Sequence, residues 1–109
     1  MYPFVTRRPQ VNNISAKELQ DQLTAGRQVT VIDVREPWEY EEGHIPGSTL
    51  LPLGQIPQWS KTLDKDEEII LVCRSGSRSV GAYQYLDRLG FTNLRNMVGG
   101  MITWRGSVE

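Results

Sequence analysis

Ile69-Ile70-Leu71-Val72-Cys73-Arg74-Ser75-Gly76-Ser77-Arg78-Ser79 is an apolar run that ends in a thiol and opens into a loop of glycine, serine and arginine. Uninterrupted aliphatic side chains from Ile69 to Val72 predict a strand covered on both faces, because a strand with one wet face would alternate. Beyond the loop, Val80, Tyr83 and Leu86 recur at helical spacing, so a helix is predicted over Ser77 to Leu89, with Gly90 closing it. Cys73 therefore sits at the hinge between a buried strand and the helix that follows. In an open parallel sheet that position, outside the carboxyl end of a strand, is where ligands bind.

The same alternation extends outward in both directions. Ser15-Ala16-Lys17-Glu18 reads as a capping box and starts a helix over residues 16–25, with Leu19 and Leu23 on one face and Gly26 as its stop. Val29 to Val34 is nearly continuous in apolarity and predicts a second buried strand. Pro37 suits a first helical turn, so a short acidic helix is expected over Pro37 to Glu42, ended by Gly43. A short strand is expected over Ser48 to Leu51 and irregular or short helical turns over Gly54 to Leu63, interrupted by Pro57. Leu94 to Val98 reads as a last strand and Met101 to Trp104 as a final helical turn. Strands alternating with helices imply right-handed crossovers and a parallel sheet with helices on both faces, an α/β fold.

A chain of 109 residues is one domain by length and large enough for a core without metal or disulfide staples. Residues 1–13 read as an N-terminal extension and 14–109 as a single domain. A net charge of −1 and 23% charged residues leave no basic excess to attract nucleic acid or an anionic membrane surface. Met1 to Pro9 lacks the apolar core of a secretory leader, and no apolar run approaches the length of a membrane span. The expected address is cytoplasmic, where an unpaired thiol stays reduced. One cysteine and one histidine cannot make a disulfide or a structural zinc site, and no cofactor or metal is expected.

A lone cysteine is ordinarily a small buried hydrophobe. The residues after Cys73 argue otherwise. Gly76 allows a tight turn, Ser75 and Ser77 are compact, and the N–H groups from Arg74 to Ser79 can converge as an anion nest at a helix N-terminus. Together with Arg74 and Arg78, such surroundings favour a thiolate, which needs no neighbouring base to act as a nucleophile. Arg78 in the first turn of a helix is disfavoured by the helix dipole, and a bound anion would offset that cost.

The loop from Cys73 to Ser79 resembles the active-site loop of single-domain rhodaneses, the thiosulfate sulfurtransferases. Asp33-Val34-Arg35-Glu36, Gly43-His44-Ile45-Pro46-Gly47-Ser48 and Gly99-Gly100 with Trp104 match the same family in order, across roughly Ile14 to Arg105. The resemblance implies a three-layer fold with a central five-stranded parallel sheet flanked by helices. It also implies a Cys73 that carries sulfane sulfur as a persulfide. The donor would be a small sulfur-containing anion such as thiosulfate, and the acceptor a thiol, cyanide or a protein thiol. The alternative is a rhodanese-like binding or regulatory module that relays sulfur to a protein partner or senses one; such modules commonly lose the cysteine or degrade the loop, and this chain does neither. Four residues separate Cys73 from Arg78, whereas cysteine phosphatases use five to encircle phosphate, so the shorter ring suits sulfur.

On this reading Cys73 is catalytic, and Arg74, Ser75, Gly76, Ser77, Arg78 and Ser79 bind substrate. Asp33 and Arg35 are possible supporting residues, although ion pairs and backbone hydrogen bonds that hold loops together explain them more simply. His44 is expected to make a structural hydrogen bond, Gly99-Gly100 to permit a tight turn, and Trp104 to fill core or cover a sheet edge. The acidic stretches Glu39 to Glu42 and Asp64 to Glu68 read as solvated surface, with Trp38 and Trp59 partly exposed.

Overall fold

The computed structural model describes residues 10–109. Met1 to Pro9 and most of the expected extension lie outside the described residues. A five-stranded, all-parallel sheet is formed by β1 (Asn13–Ile14), β2 (Thr30–Asp33), β3 (Thr49–Leu50), β4 (Ile69–Val72) and β5 (Leu94–Met97), in the spatial order β1-β5-β4-β2-β3. The expected α/β architecture is therefore present, and its fifth strand is β1, a two-residue segment too short to show any periodicity in sequence.

The helices are α1 (Ala16–Thr24), α2 (Pro37–Glu41), α3 (Ile56–Trp59) and α4 (Ser77–Arg88). Ser15 and Glu18 close the predicted capping box: Ser15 Oγ accepts from the Glu18 N–H and Glu18 accepts from the Ser15 N–H, both at 3.0 Å. Pro57 does not interrupt the middle segment. It lies in the first turn of α3, where its missing N–H costs nothing, and Trp59 is buried there with its indole N–H on the Pro52 carbonyl.

Alternate residues of the central strands feed two separate cores. Ile32, Ile69 and Leu71 pack with Ile56 and Trp59 of α3 and with Ala82, Tyr83 and Leu86 of α4. Val31, Ile70 and Val72 pack on the opposite face with Ala16 and Leu19 of α1, Ile45, Met97 and Trp104. Each strand is thus dry on both sides, which is why the sequence reads as unbroken aliphatic runs. Asp33 pairs in register with Val72, so the ends of β2 and β4 lie side by side and the loops after them share one edge of the sheet. Among the described residues, no helix is long and apolar enough to cross a membrane.

Candidate active site

Cys73 directly follows β4, the strand between β5 and β2, and is fully buried. Its sulfur accepts the Gly76 N–H at 3.0 Å and lies 3.2 Å from Ser79 Oγ. The loop can fold back this tightly because Gly76 has φ 103°, a left-handed conformation that glycine adopts without strain. Gly76 is also the N-cap of α4, so the sulfur sits at the positive end of a 12-residue helix. The N–H groups of Ser75, Ser77 and Arg78 have no acceptor among the described residues, as expected of orphan donors where a helix begins. They are available to an anion.

A second loop determines which way the first one faces. Gly99 and Gly100, both at positive φ, turn the chain from β5 into a 3-10 turn over Gly100–Thr103. The Met101 N–H donates to the Cys73 carbonyl at 2.8 Å and the Ile102 N–H to the Arg74 carbonyl at 3.1 Å. With those carbonyls held outside, the amides of the cysteine loop are left to its interior. A Cβ on Gly100 would lie 2.5 Å from the Arg74 carbonyl, so this approach requires glycine. The expected turn at Gly99-Gly100 is present, and its partner is the cysteine loop itself. Trp104 is buried in the α1-side core.

The two loop arginines differ. Arg78 does not extend into solvent; its guanidinium donates to both Glu39 oxygens, at 2.7 and 2.8 Å. Glu39, read from sequence as solvated surface, is buried in α2, and Arg78 draws its carboxyl down to about 2. The Glu36 N–H adds a further bond to the same carboxylate at 3.0 Å. Arg74 is exposed and has no carboxylate partner among the described residues. It lines a groove of about 310 Å³ together with Arg35, Glu39, Glu42, Gly43, Met101, Ile102 and Val108.

Asp33 and Arg35 form a buried fork. Asp33 accepts from Arg35 Nε at 2.9 Å and Nη2 at 2.8 Å, and Arg35 Nη2 also donates to the Gly43 carbonyl at 2.9 Å. The pair ties the end of β2 to the loop after α2, the bracing arrangement that the ion-pair reading anticipates. His44 donates from Nδ1 to the Tyr40 carbonyl at 2.8 Å, since a carbonyl can only accept, and its ring stacks on Tyr40 at 3.6 Å. It makes the expected structural bond.

Two residues bonded to side chains of the cysteine loop escaped the sequence reading. Glu39 carried no signal beyond its place in an acidic run. Asn96, buried in β5, has its side-chain oxygen 2.5 Å from Ser79 Oγ. Its one signal was a polar residue in a short strand.

The family model for the rhodanese-like domain matches residues 15–107. The Bacillus subtilis protein YtwF is 40% identical over 92% of this chain and 96% of its own length. A sulfurtransferase of Allochromatium vinosum is 36% identical over 86% of this chain and 88% of its own. The crystal structure of a rhodanese-like domain protein from Staphylococcus aureus superposes with a TM-score of 0.83 at 33% identity, covering 91% of this chain and 97% of that one.

Proposed function

The chain belongs to the rhodanese-like domain family, and from that premise we propose that it is a sulfurtransferase working through a persulfide on Cys73. The observation that carries this is the sulfur's setting: a buried Cys73 at a helix N-terminus, bonded to the Gly76 N–H, with neighbouring loop amides unclaimed. Fixed N–H dipoles in a water-poor site stabilise sulfur-centred anions before and after transfer.

With thiosulfate as donor, the Cys73 thiolate attacks the outer, sulfane sulfur. A Cys73 S–S bond forms, the S–S bond of thiosulfate breaks, and sulfite departs with the bonding pair. The persulfide anion keeps the charge that the thiolate brought. An acceptor nucleophile, cyanide or a thiolate, then attacks the terminal sulfur, and the Cys73 thiolate is released. Cys73 is the only cysteine in the chain, so no internal thiol can resolve the persulfide and the acceptor is a second molecule. The persulfide extends the reactive atom by one S–S bond, about 2 Å, beyond a sulfur that is itself fully buried. Arg74, on the neighbouring groove, is the loop cation left to meet an anionic donor. A reducing compartment such as the cytoplasm suits a thiol that must stay unoxidised between turnovers.

Intact mass after incubation with thiosulfate tests the proposal. One sulfur atom should be gained, discharged by cyanide as thiocyanate, and absent from Cys73→Ser. A protein that gains no sulfur from thiosulfate or from a persulfide donor, while correctly folded, overturns it.

A further inference from the structure

Ser79 has one hydroxyl hydrogen and three neighbours that could take it. Its Oγ lies 3.2 Å from the Cys73 sulfur, 3.2 Å from the Gly76 carbonyl oxygen and 2.5 Å from Asn96 Oδ1. Ser79 is fully buried and Asn96 is 2% exposed, so these partners are set by the protein. With the Asn96 carbonyl facing Ser79, the hydroxyl hydrogen goes to Asn96, and the sulfur meets Ser79 only by donating its own S–H. That direction suits a neutral thiol. A thiolate has no hydrogen and needs one from Ser79.

The two ends of a carboxamide have nearly the same shape, so a half turn of the Asn96 amide puts Nδ2 where Oδ1 stood and reverses the chain of bonds. Nδ2–H then donates to Ser79 Oγ, and the Ser79 O–H is released to the sulfur, which as an anion is a stronger acceptor than the neutral Gly76 carbonyl at the same 3.2 Å. Nothing on the far side opposes this. There the Asn96 amide meets Asn13 Oδ1 at a long 3.4 Å, and Asn13 is exposed, free to turn its own amide in step. The backbone of Asn96 is meanwhile anchored by its N–H on the Asn12 carbonyl at 2.8 Å. A buried carboxamide in a strand whose other buried side chains are Leu94 and Met97 is costly unless its polar atoms have partners, and the partner here leads to the reacting thiol.

We propose that Asn96 is a positioning residue for the sulfur chemistry, its amide turning with the ionisation of Cys73 so that Ser79 donates to the sulfur whenever the sulfur is anionic. On ionisation one proton leaves the thiol for solvent; the Ser79 hydrogen changes only its direction, from Asn96 to the sulfur. The proposal rests on Cys73 acting as an anion. Its test, however, is read on the reduced protein without any sulfur donor, so it can fail while sulfur transfer stands.

The measurement is the rate of Cys73 alkylation by iodoacetamide across pH, with circular dichroism confirming the fold. Asn96→Leu and Ser79→Ala should each move the alkylation profile up by roughly one pH unit, a tenfold slower reaction on its rising limb. In the Ser79→Ala background, Asn96→Leu should add nothing, because the path to the sulfur is already cut. Asn96→Ala also removes the donor, without adding a charge, and serves if the leucine variant does not fold; its shift too should shrink in the Ser79→Ala background. An unmoved profile for both Asn96 variants overturns the proposal. So does a shift that persists undiminished without the Ser79 hydroxyl, since Asn96 would then act by another route.

Discussion

Arg78 and Glu39 face one another through two parallel hydrogen bonds, 2.7 and 2.8 Å long, joining the first turn of α4 to the short helix α2. An arginine in a helix's first turn opposes the helix dipole, and the buried carboxylate offsets that cost. Glu39 is held at about 2, well below an ordinary carboxyl, chiefly by the Arg78 hydrogen bonds. A carboxyl lowered in the folded state stabilises the fold above its unfolded value and loses that contribution as pH falls through the folded one. The pair's contribution should therefore be complete above about pH 5 and fade between roughly pH 4.5 and 2. With the guanidinium side chain 34% exposed, solvent screening reduces it to about 1–2 kcal/mol. Thermal melts of the wild type and Glu39→Gln should differ near neutrality and converge toward pH 2. A constant difference across that range would remove the ion pair as its cause.

Arg74 and Arg78 should separate cleanly under mutation. Arg78→Ala leaves Glu39 a buried, unmatched carboxylate and should lower the melting temperature. Arg74→Ala disturbs no ion pair, and should lower kcat/KM for thiosulfate by roughly tenfold through the lost charge on an anionic donor, with the melting temperature unchanged. The salt dependence of kcat/KM should flatten in the same variant. If Arg78→Ala alone impairs donor use at unchanged stability, the two assignments are reversed.

The strands and helices with periodicity or continuous apolarity were legible: β2, β4, α1 and α4 fall within a residue or so of their expected spans. What escaped was set by contacts between distant segments. Asn13-Ile14 is a strand only because β5 offers it an edge. Glu39 sits in a run of like charges, and only the Arg78 guanidinium reaching it from the first turn of α4 makes it a buried partner. Cys73 announced itself through the loop that follows it, because the glycine and serines are needed locally. Asn96 needed the fold, since its closeness to Ser79 bridges seventeen residues.

Asp33 and Arg35 should prove structural. Asp33→Ala would strand a guanidinium that is 7% exposed, and breaking one side of such a buried pair costs about 3–5 kcal/mol. Chemical denaturation should report that loss, with kcat per folded molecule changed by only a few fold. A large fall in kcat at wild-type stability would instead put Arg35, which lines the groove beside Arg74, in contact with the donor.

Gly100→Ala is the most direct probe of how the cysteine loop is aimed. Alanine at φ 62° is mildly strained, but its methyl would meet the Arg74 backbone at 2.5 Å, and neither main-chain segment is a flexible side chain that can swing aside. Either the 3-10 turn over Gly100–Thr103 lifts away, or the cysteine loop shifts. Both movements weaken the bonds from the Met101 and Ile102 N–H groups to the Cys73 and Arg74 carbonyls, so those carbonyls are freed to turn inward and the amide cradle loses its shape. The expected result is a loss of roughly 2–3 kcal/mol of stability together with a fall in sulfur loading larger than the unfolded fraction explains. Gly47→Ala is the matched control: φ there is 82°, yet a Cβ meets nothing within 4 Å, so it should lose a little stability and no loading. Equal behaviour of the two variants would mean that left-handed strain alone, and not the approach to Arg74, accounts for Gly100.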